Sequence, residues 1–401
     1  MEHQGEVINL NYEGCGITRL DNKVVFINKT IPHDIVNYKI THEYKNYAIG
    51  EVISYEKENN HNLEYNCCYY QRCGGCQIAR LNYQEQLEFK KEKVEDLFKR
   101  YLGINKKLKI IANDTRLGYR NKIVMQVKDG KIGFYEENTH NLIEVDKCLL
   151  VDFKVNEIIK MLKDIDLTNV NKIMIRSTSL DIMIVFYGKI IENQVVSIFK
   201  DKVSSIINFD SEYKVIYGKD KIREEINNLY FEISPDSFFQ INKNQMIKLY
   251  DKILEYVDVN KSQKVLDLYS GIGTISLYLA KFCKEVIGVE INKYAVEDAK
   301  YNAKINNITN VRFINKNANG IRFSDVDTIV VDPPRGGLDN KTKNILLESR
   351  VKRIVYVSCN PLTLVRDLKA LGSKYVIKDI TLVDMFSYSY HVESVVKLEL
   401  K

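Results

Sequence analysis

The stretch QKVLDLYSGIGTISLYLAKF, residues 263–282, reads as an apolar strand, a turn built on Gly271 and Gly273, and a helix. Glycine in such a turn lets the backbone approach a ligand beyond the carboxyl end of the strand. KEVIGVE, residues 284–290, follows as a second strand, and its Glu290 stands 19 residues after Gly271, where an acid that hydrogen-bonds ribose hydroxyls is expected. The third glycine of the dinucleotide fingerprint is missing, because position 276 is Ser, and pyrophosphate binding is correspondingly less favoured. A nicotinamide enzyme, an S-adenosylmethionine enzyme and an unligated sheet all remain open at this point. From residue 236 onward strands alternate with helices, the pattern of a parallel βαβ sheet.

Working outward, DTIVVDPPRGG (327–337) ends a strand with Asp332, Pro333, Pro334 and Arg335, leaving a carboxylate at the sheet edge where ligands bind in open α/β folds. Methyltransferases acting on exocyclic amines place an aromatic after the two prolines, whereas here Arg335 takes that place. In IVYVSCNPLTLVRDLKAL (354–371), Asn360 suits a helix cap and Pro361 its first turn, so Cys359 sits just outside a helix N-terminus. The positive end of that helix is expected to lower the thiol pKa and raise the thiolate fraction. The bland alternative is a small buried residue at a strand end. Near the C-terminus, SYSYHVESVVKLEL (387–400) presents His391 and Glu393 at the start of a last strand, where Glu393 is either functional or simply solvated. Chemistry links the two groups. Carbon 5 of uracil is too poor a nucleophile to accept a methyl group unaided, but a thiolate added at carbon 6 yields an enolate that is rich at carbon 5. A base must then remove the carbon 5 proton before the thiolate leaves.

At 401 residues the chain is expected to hold two or three domains at roughly 150 residues each. No stretch approaches a membrane span and MEHQGEVINL lacks the form of a signal peptide, so a cytoplasmic protein without membrane association is expected. Net charge is +6, from 59 basic and 53 acidic side chains, which permits a polyanionic partner without requiring one. Residues 1–57 carry short alternating runs such as KVVFI broken by Gly and Pro, the pattern of a small closed barrel. Residues 58–235 form an α+β segment with one helical stretch after residue 105, and 236–401 form the cofactor half. NYQEQLEFKKEKVEDLFKRYLG (82–103) predicts a helix with Leu87, Val94, Leu97, Phe98 and Tyr101 on its apolar side and a stop at Gly103. Its lysines are read chiefly as a solvated face, with direct RNA contact as the alternative. Eight cysteines without a secretory leader point to metal or catalytic use. Cys15 and Cys283 are read as packing residues. Cys67, Cys73 and Cys76 form a C-x5-C-x2-C array and Cys148 follows in EVDKCLL. Four thiolates suit zinc or an iron–sulfur cluster, and spacing does not choose between them. The array differs from the C-x3-C-x2-C of radical S-adenosylmethionine enzymes.

The series SFFQIN (237–242), DLYSGIGT (267–274), GVEIN (288–292), DPPRGG (332–337), VSCNP (357–361) and HVESV (391–395) resembles, in order and over nearly the whole chain, the RNA uracil-5-methyltransferases. The resemblance implies a multidomain protein: an α/β, Rossmann-like class I methyltransferase domain, an OB-like N-terminal barrel and a central α+β domain. It implies Cys359 as nucleophile and Glu393 as the base. Gln240, Tyr269, Gly271, Thr274, Glu290, Asn317 and Asp332 are implied to line the S-adenosylmethionine and uracil site, with Phe238 beside the base. Ser270 stands where relatives often have Cys. GEVINLNYEGCGITRLDNKVVFI (5–27) looks like the RNA-binding TRAM barrel of the ribosomal RNA members, which makes 23S ribosomal RNA the preferred partner, and transfer RNA the alternative. The same branch implies a [4Fe-4S] cluster on Cys67, Cys73, Cys76 and Cys148, read as a structural staple, and a monomer. A uracil in folded RNA must turn out of its stack to reach the thiolate. A base-amine methyltransferase and a non-catalytic iron–sulfur RNA-binding protein stand as the competing readings.

Overall fold

The computed structural model describes residues 1–62, 64–137, 139–321 and 325–401. They form two compact units. The first comprises residues 1–94, 135–143 and 386–391, and the second comprises 95–134, 144–385 and 392–401.

In the first unit six strands form one sheet in the order Glu2–Glu6, Ile35–Glu43, Tyr47–Lys57, Lys23–Ile27, Gly16–Leu20, Asn9–Leu10. Alternation decides the faces: in KVVFI, Val25 and Ile27 are buried while Val24 and Phe26 are only half-buried. They pack with Val7, Val36, Tyr38 and Ala48 into a small core. Asp21 and Asn22 both take positive φ, as a tight two-residue hairpin between twisted strands requires. Outside the sheet, Arg80 holds Asp34 through two bonds of 2.9 Å, both side chains being buried. Asp34 also accepts the backbone N–H groups of Ile31 and Asn59, so the buried charges are satisfied. The helix Tyr83–Leu102 opens with a capping box, in which Asn82 and Glu85 each accept the other's backbone N–H. Leu87, Val94, Leu97 and Phe98 are buried as the spacing predicts, but Tyr101 is half exposed. The solvated-face reading of its lysines fails for two of them. Lys90 and Lys93 are buried, donating to the carbonyls of Phe386 at 2.9 Å and Tyr390 at 3.3 Å.

The second unit contains two large sheets. One includes, in order, Lys122–Lys128, Val170–Ser177, Ile182–Gly188, Ser205–Phe209 and Tyr213–Gly218. Helices Phe153–Met161 and Glu192–Phe199 accompany it, one more than the sequence pattern reveals after residue 105. A separate hairpin joins Ile222–Ile226 to Leu229–Ile233. The other sheet carries the cofactor half. Its strands are β1 (Lys264–Leu268), β2 (Glu285–Glu290), β3 (Val311–Asn315), β4 (Thr328–Val331), β5 (Arg353–Ser358), β6 (Tyr375–Val383) and β7 (Glu393–Leu400). Its helices are α1 (Lys243–Val257), α2 (Thr274–Ala280), α3 (Lys293–Ile305), α4 (Asn340–Glu348) and α5 (Pro361–Leu371). The order is β3-β2-β1-β4-β5-β7-β6, with the short strand Lys109–Ile111 added beside β6. Strands β1 to β5 pair in parallel, and β7 is antiparallel to both neighbours. Buried runs such as TIVV in β4 explain why the sequence shows no alternation there, since a sheet covered on both faces is apolar throughout. Among the described residues no helix is long and apolar enough to cross a membrane.

Candidate active site

Strand register gathers the candidate residues on one edge of the large sheet. Leu268 pairs with Val331, and Val331 with Tyr356, so Tyr269 and Asp332 leave neighbouring strands at similar height. Ser358 pairs with Ser394 across the antiparallel β5–β7 ladder. Cys359 follows Ser358 and Glu393 precedes Ser394, so the thiol and the carboxylate leave adjacent strands as the next cross-strand pair. The helix cap is as the sequence predicts: the Asn360 side chain accepts the Leu362 N–H at 3.1 Å, and Pro361 opens α5. Asn360 also donates to the Arg335 carbonyl at 3.2 Å, tying the cysteine turn to the DPPRGG turn.

The electrostatics correct one expectation. The helix end was expected to lower the Cys359 pKa, yet burial pushes the thiol up to about 11, and Glu393 and Asp332 push in the same direction. Arg335 pulls the other way and does not prevail. A helix terminus favours a thiolate by about 0.3–1 kcal/mol at exposed sites, which is smaller than the cost of an anion that is desolvated and faces two acids. Glu393 is not a solvated carboxylate: it is buried, and burial together with Asp332 pushes its pKa up to about 8. Desolvation raises Asp332 to about 6. Cys359 and Glu393 are therefore protonated at neutral pH, and a cation beside them would lower both pKa values.

The Gly-rich turn is shaped for close approach. Gly271 has φ +53, and a Cβ built there meets nothing within 4 Å, so the turn is open on that side. Gly273 has φ +85, and its Cβ would lie 2.7 Å from the Phe313 ring. Tyr269 takes φ 67, a strained backbone for a bulky residue, and it is held by its N–H bond to the Val289 carbonyl at 2.9 Å. Glu290 accepts the Gly271 N–H at 3.1 Å and the Asn292 N–H at 2.8 Å, which aims its carboxylate across the turn with lone pairs left for hydroxyls. The Thr274 hydroxyl accepts a bond from Tyr250 at 2.9 Å. Gln240 is buried, with its carbonyl held by Asn121 at 3.0 Å, whereas Phe238 two residues earlier is 71 % exposed. Asn317 is exposed and caps the short turn Ala318–Gly320. The sequence reading missed Asp267 and Tyr250. Asp267 is fully buried, accepts the Ser276 hydroxyl at 2.6 Å and has its pKa pushed up by burial to about 7. A carboxylate inside the apolar run KVLDL was the available signal.

Cys67, Cys73 and Cys76 lie on one short loop of the first unit, where the Lys29 ammonium donates to the carbonyls of Cys73 at 2.7 Å and Cys76 at 3.4 Å. Soft sulfur donors suit zinc or an iron–sulfur cluster by chemistry. Among the described residues no three His, Cys, Asp or Glu form a metal-holding group. Cys148 belongs to the second unit, where Asn156 accepts its backbone N–H and donates to its carbonyl.

A parallel sheet of this order, with a glycine turn and an acid at the ends of its first two strands, is the class I methyltransferase fold. The chain belongs to the tRNA (uracil-5-)-methyltransferase family, whose sequence model matches residues 82–401, and it carries a TRAM domain matched over 6–53. An RNA methyltransferase of Staphylococcus aureus is 36% identical, covering 99% of this chain and 98% of its own length. One from Caldanaerobacter subterraneus shows the same identity and coverage. Among solved structures, the Pyrococcus abyssi tRNA (uracil-54, C5)-methyltransferase bound to S-adenosyl-L-homocysteine is similar at 28% identity and a TM-score of 0.82, covering 98% of this chain and 99% of its own. S-Adenosylmethionine is thus the family's methyl donor, and RNA is its substrate.

Proposed function

We propose that this protein methylates carbon 5 of a uridine in 23S ribosomal RNA, with Cys359 as nucleophile and Glu393 as base. The observation that carries the reading is the register of β5 and β7, which sets the two residues side by side at the edge where the cofactor turn also opens. S-Adenosylmethionine supplies a methyl group on a cationic sulfonium. Gly271 and Glu290 form its cradle, and Gln240, Tyr269, Thr274, Asn317 and Asp332 are the remaining candidates for lining the site. The Cys359 proton passes to solvent and the thiolate adds to carbon 6. The carbon 5–carbon 6 π pair moves to carbon 5, which takes the methyl group as the methyl–sulfur bond breaks and its pair stays on the departing neutral thioether. Glu393 then accepts the carbon 5 proton, the carbon 6–sulfur bond breaks, and the thiolate is regenerated. Phe238, exposed beside the buried Gln240, offers a ring on which an extruded uracil stacks.

The ribosomal assignment follows the resemblance to the ribosomal RNA members, which the cysteine array with CGGC at residues 73–76 carries alongside the TRAM module. Transfer RNA is the second reading, favoured by the Pyrococcus abyssi enzyme, which is matched along 98% of this chain, a coverage too long to leave the TRAM segment out. That full-length likeness removes the presence of a TRAM barrel as an argument against tRNA. Nucleoside mass spectrometry of both RNAs from a strain lacking the gene separates the two. Loss of 5-methyluridine from 23S RNA is the expected result. Loss from tRNA alone moves the substrate, and no loss from either overturns methylation of cellular RNA.

We further propose, on donor chemistry, that Cys67, Cys73, Cys76 and Cys148 hold a [4Fe-4S] cluster as a staple off the reaction path. Protein isolated without oxygen is expected to contain about four irons and four sulfides per chain, lost in Cys76→Ser. Stoichiometric zinc instead would overturn the assignment.

A further inference from the structure

Helix α3 carries Asp298 and Asn302, and Asn306 follows as its C-terminal cap, so the three recur at four-residue intervals along one face. Each meets the strand Leu229–Ile233 or the loop that follows it. Asn306 accepts the Tyr230 N–H at 2.7 Å and donates to the Tyr230 carbonyl at 2.6 Å. Asn302 does the same one rung along, accepting the Glu232 N–H at 2.7 Å and donating to the Glu232 carbonyl at 3.3 Å. Asp298 ends the ladder by accepting the hydroxyls of Ser234 at 2.7 Å and Ser237 at 2.8 Å, with Lys221 on its other oxygen at 2.6 Å. The match is geometric: four helical residues rise about 6 Å and two strand residues about 6.6 Å. Side-chain amides thereby complete the other edge of a strand whose strand partner, among the described residues, is Ile222–Ile226.

Asn302 differs from its neighbours in one respect. Its Nδ2 also donates to the Ile272 carbonyl at 3.2 Å, inside the turn bounded by Gly271 and Gly273. The residue is fully buried. One amide thus holds the cofactor turn and the strand that runs on into the Phe238–Gln240 loop. The loop is fixed again at its own start, where Arg176 donates to the Ser237 carbonyl at 2.8 Å and the Ser234 carbonyl at 3.3 Å.

We propose that Asn302 is a positioning residue that ties the Gly-rich turn to the uracil-side loop, so that cofactor occupancy and the placement of Phe238 and Gln240 are set together. The inference rests on the reading of that turn as the cofactor cradle. Asn306 provides the control, because it too makes three hydrogen bonds, two to the same strand and one within its own helix, but none to the turn. S-Adenosylhomocysteine binding is measured by calorimetry on wild type, Asn302→Ala and Asn306→Ala, alongside thermal melts and the methyl-transfer KM for S-adenosylmethionine. The expected result is a Kd and KM raised about tenfold in Asn302→Ala and less than about twofold in Asn306→Ala. Equal weakening in the two variants would mean that the ladder is only structural, and the inference fails while the cradle stands. A wild-type protein that does not bind S-adenosylhomocysteine overturns the cradle reading itself, and this inference with it. Should Asn302→Ala not fold, Asn302→Ser, which keeps a hydroxyl on that helix face, is compared with Asn306→Ser by the same criterion.

Discussion

Cys359→Ala is expected to lower methyl transfer by at least about 10³-fold while S-adenosylhomocysteine binds as in the wild type. The size of the effect follows from the chemistry rather than from packing. Without sulfur at carbon 6 no enolate forms, and no other group on the sheet edge provides an equivalent nucleophile: Asp332 and Glu393 are carboxyl groups pushed up to about 6 and about 8, and Arg335 is a cation. The Cα of residue 359 follows a strand held on both sides, by β4 and β7, so removing a thiol from its end should leave the fold unchanged. The measurement is single-turnover transfer from radiolabelled S-adenosylmethionine to a uridine-containing RNA. Retention of wild-type speed would eliminate the covalent route. The thiol's raised pKa adds a check. With Cys359 pushed up to about 11, alkylation of that residue by iodoacetamide at neutral pH, followed on its own peptide by mass spectrometry, should be slower than that of the exposed Cys68.

Glu393→Gln should fail at the opposite end of the reaction. Addition and methyl transfer proceed, the carbon 5 proton is retained, and the enzyme stays bonded to its product. A protein–RNA band that survives denaturation is therefore expected to accumulate, with release slowed by about 10²-fold or more. The same variant carries a stability signature. In the unfolded chain a glutamate titrates near 4.3, and burial with Asp332 nearby raises it to about 8 in the folded protein. A raised carboxyl pKa means that the folded state binds the proton more tightly. Its contribution to stability is present below about pH 4 and is lost as the pH rises through about 8. Glu393→Gln cannot ionise, so relative to wild type its melting temperature should be higher at pH 8.5 and nearly equal at pH 4. A variant that releases product normally would remove Glu393 from the role of base. An unchanged melting difference across pH would show that its carboxyl is solvated after all.

Much of this site is legible in the chain because its chemistry is written in short contiguous motifs. Strand, glycine turn and helix at 263–282, the cap at Asn360 and Pro361, and the final strand from Glu393 all appear where local pattern puts them. The thiol's protonation was not legible, because the helix end is a local feature whereas burial and the approach of Glu393 come from strand pairing 34 residues apart in sequence. Tyr101 and the pair Lys90 and Lys93 misled for the same reason. Helical spacing says which residues share a face, but what covers that face is tertiary, and here two ammonium groups find carbonyls near the far end of the chain. Asp267 was passed over although the acid inside the strand KVLDL was visible, because its burial and its bond to Ser276 arise only when the helix packs on that strand. The ladder on α3 left no readable trace, because asparagine at four-residue spacing on a helix is compatible with a solvated surface.

The contacts of Lys90 and Lys93 span 296 and 297 residues. A ribosome working at about 5–20 residues per second needs roughly 15–60 s to deliver the acceptor carbonyls after the lysines have emerged. During that interval the segment to which Lys90 and Lys93 donate has yet to be made, and the N-terminal unit lacks its 386–391 piece. Excising that unit at residue 94 would therefore cut away the segment 386–391 that completes it, and its maturation waits on a stretch made about 290 residues later.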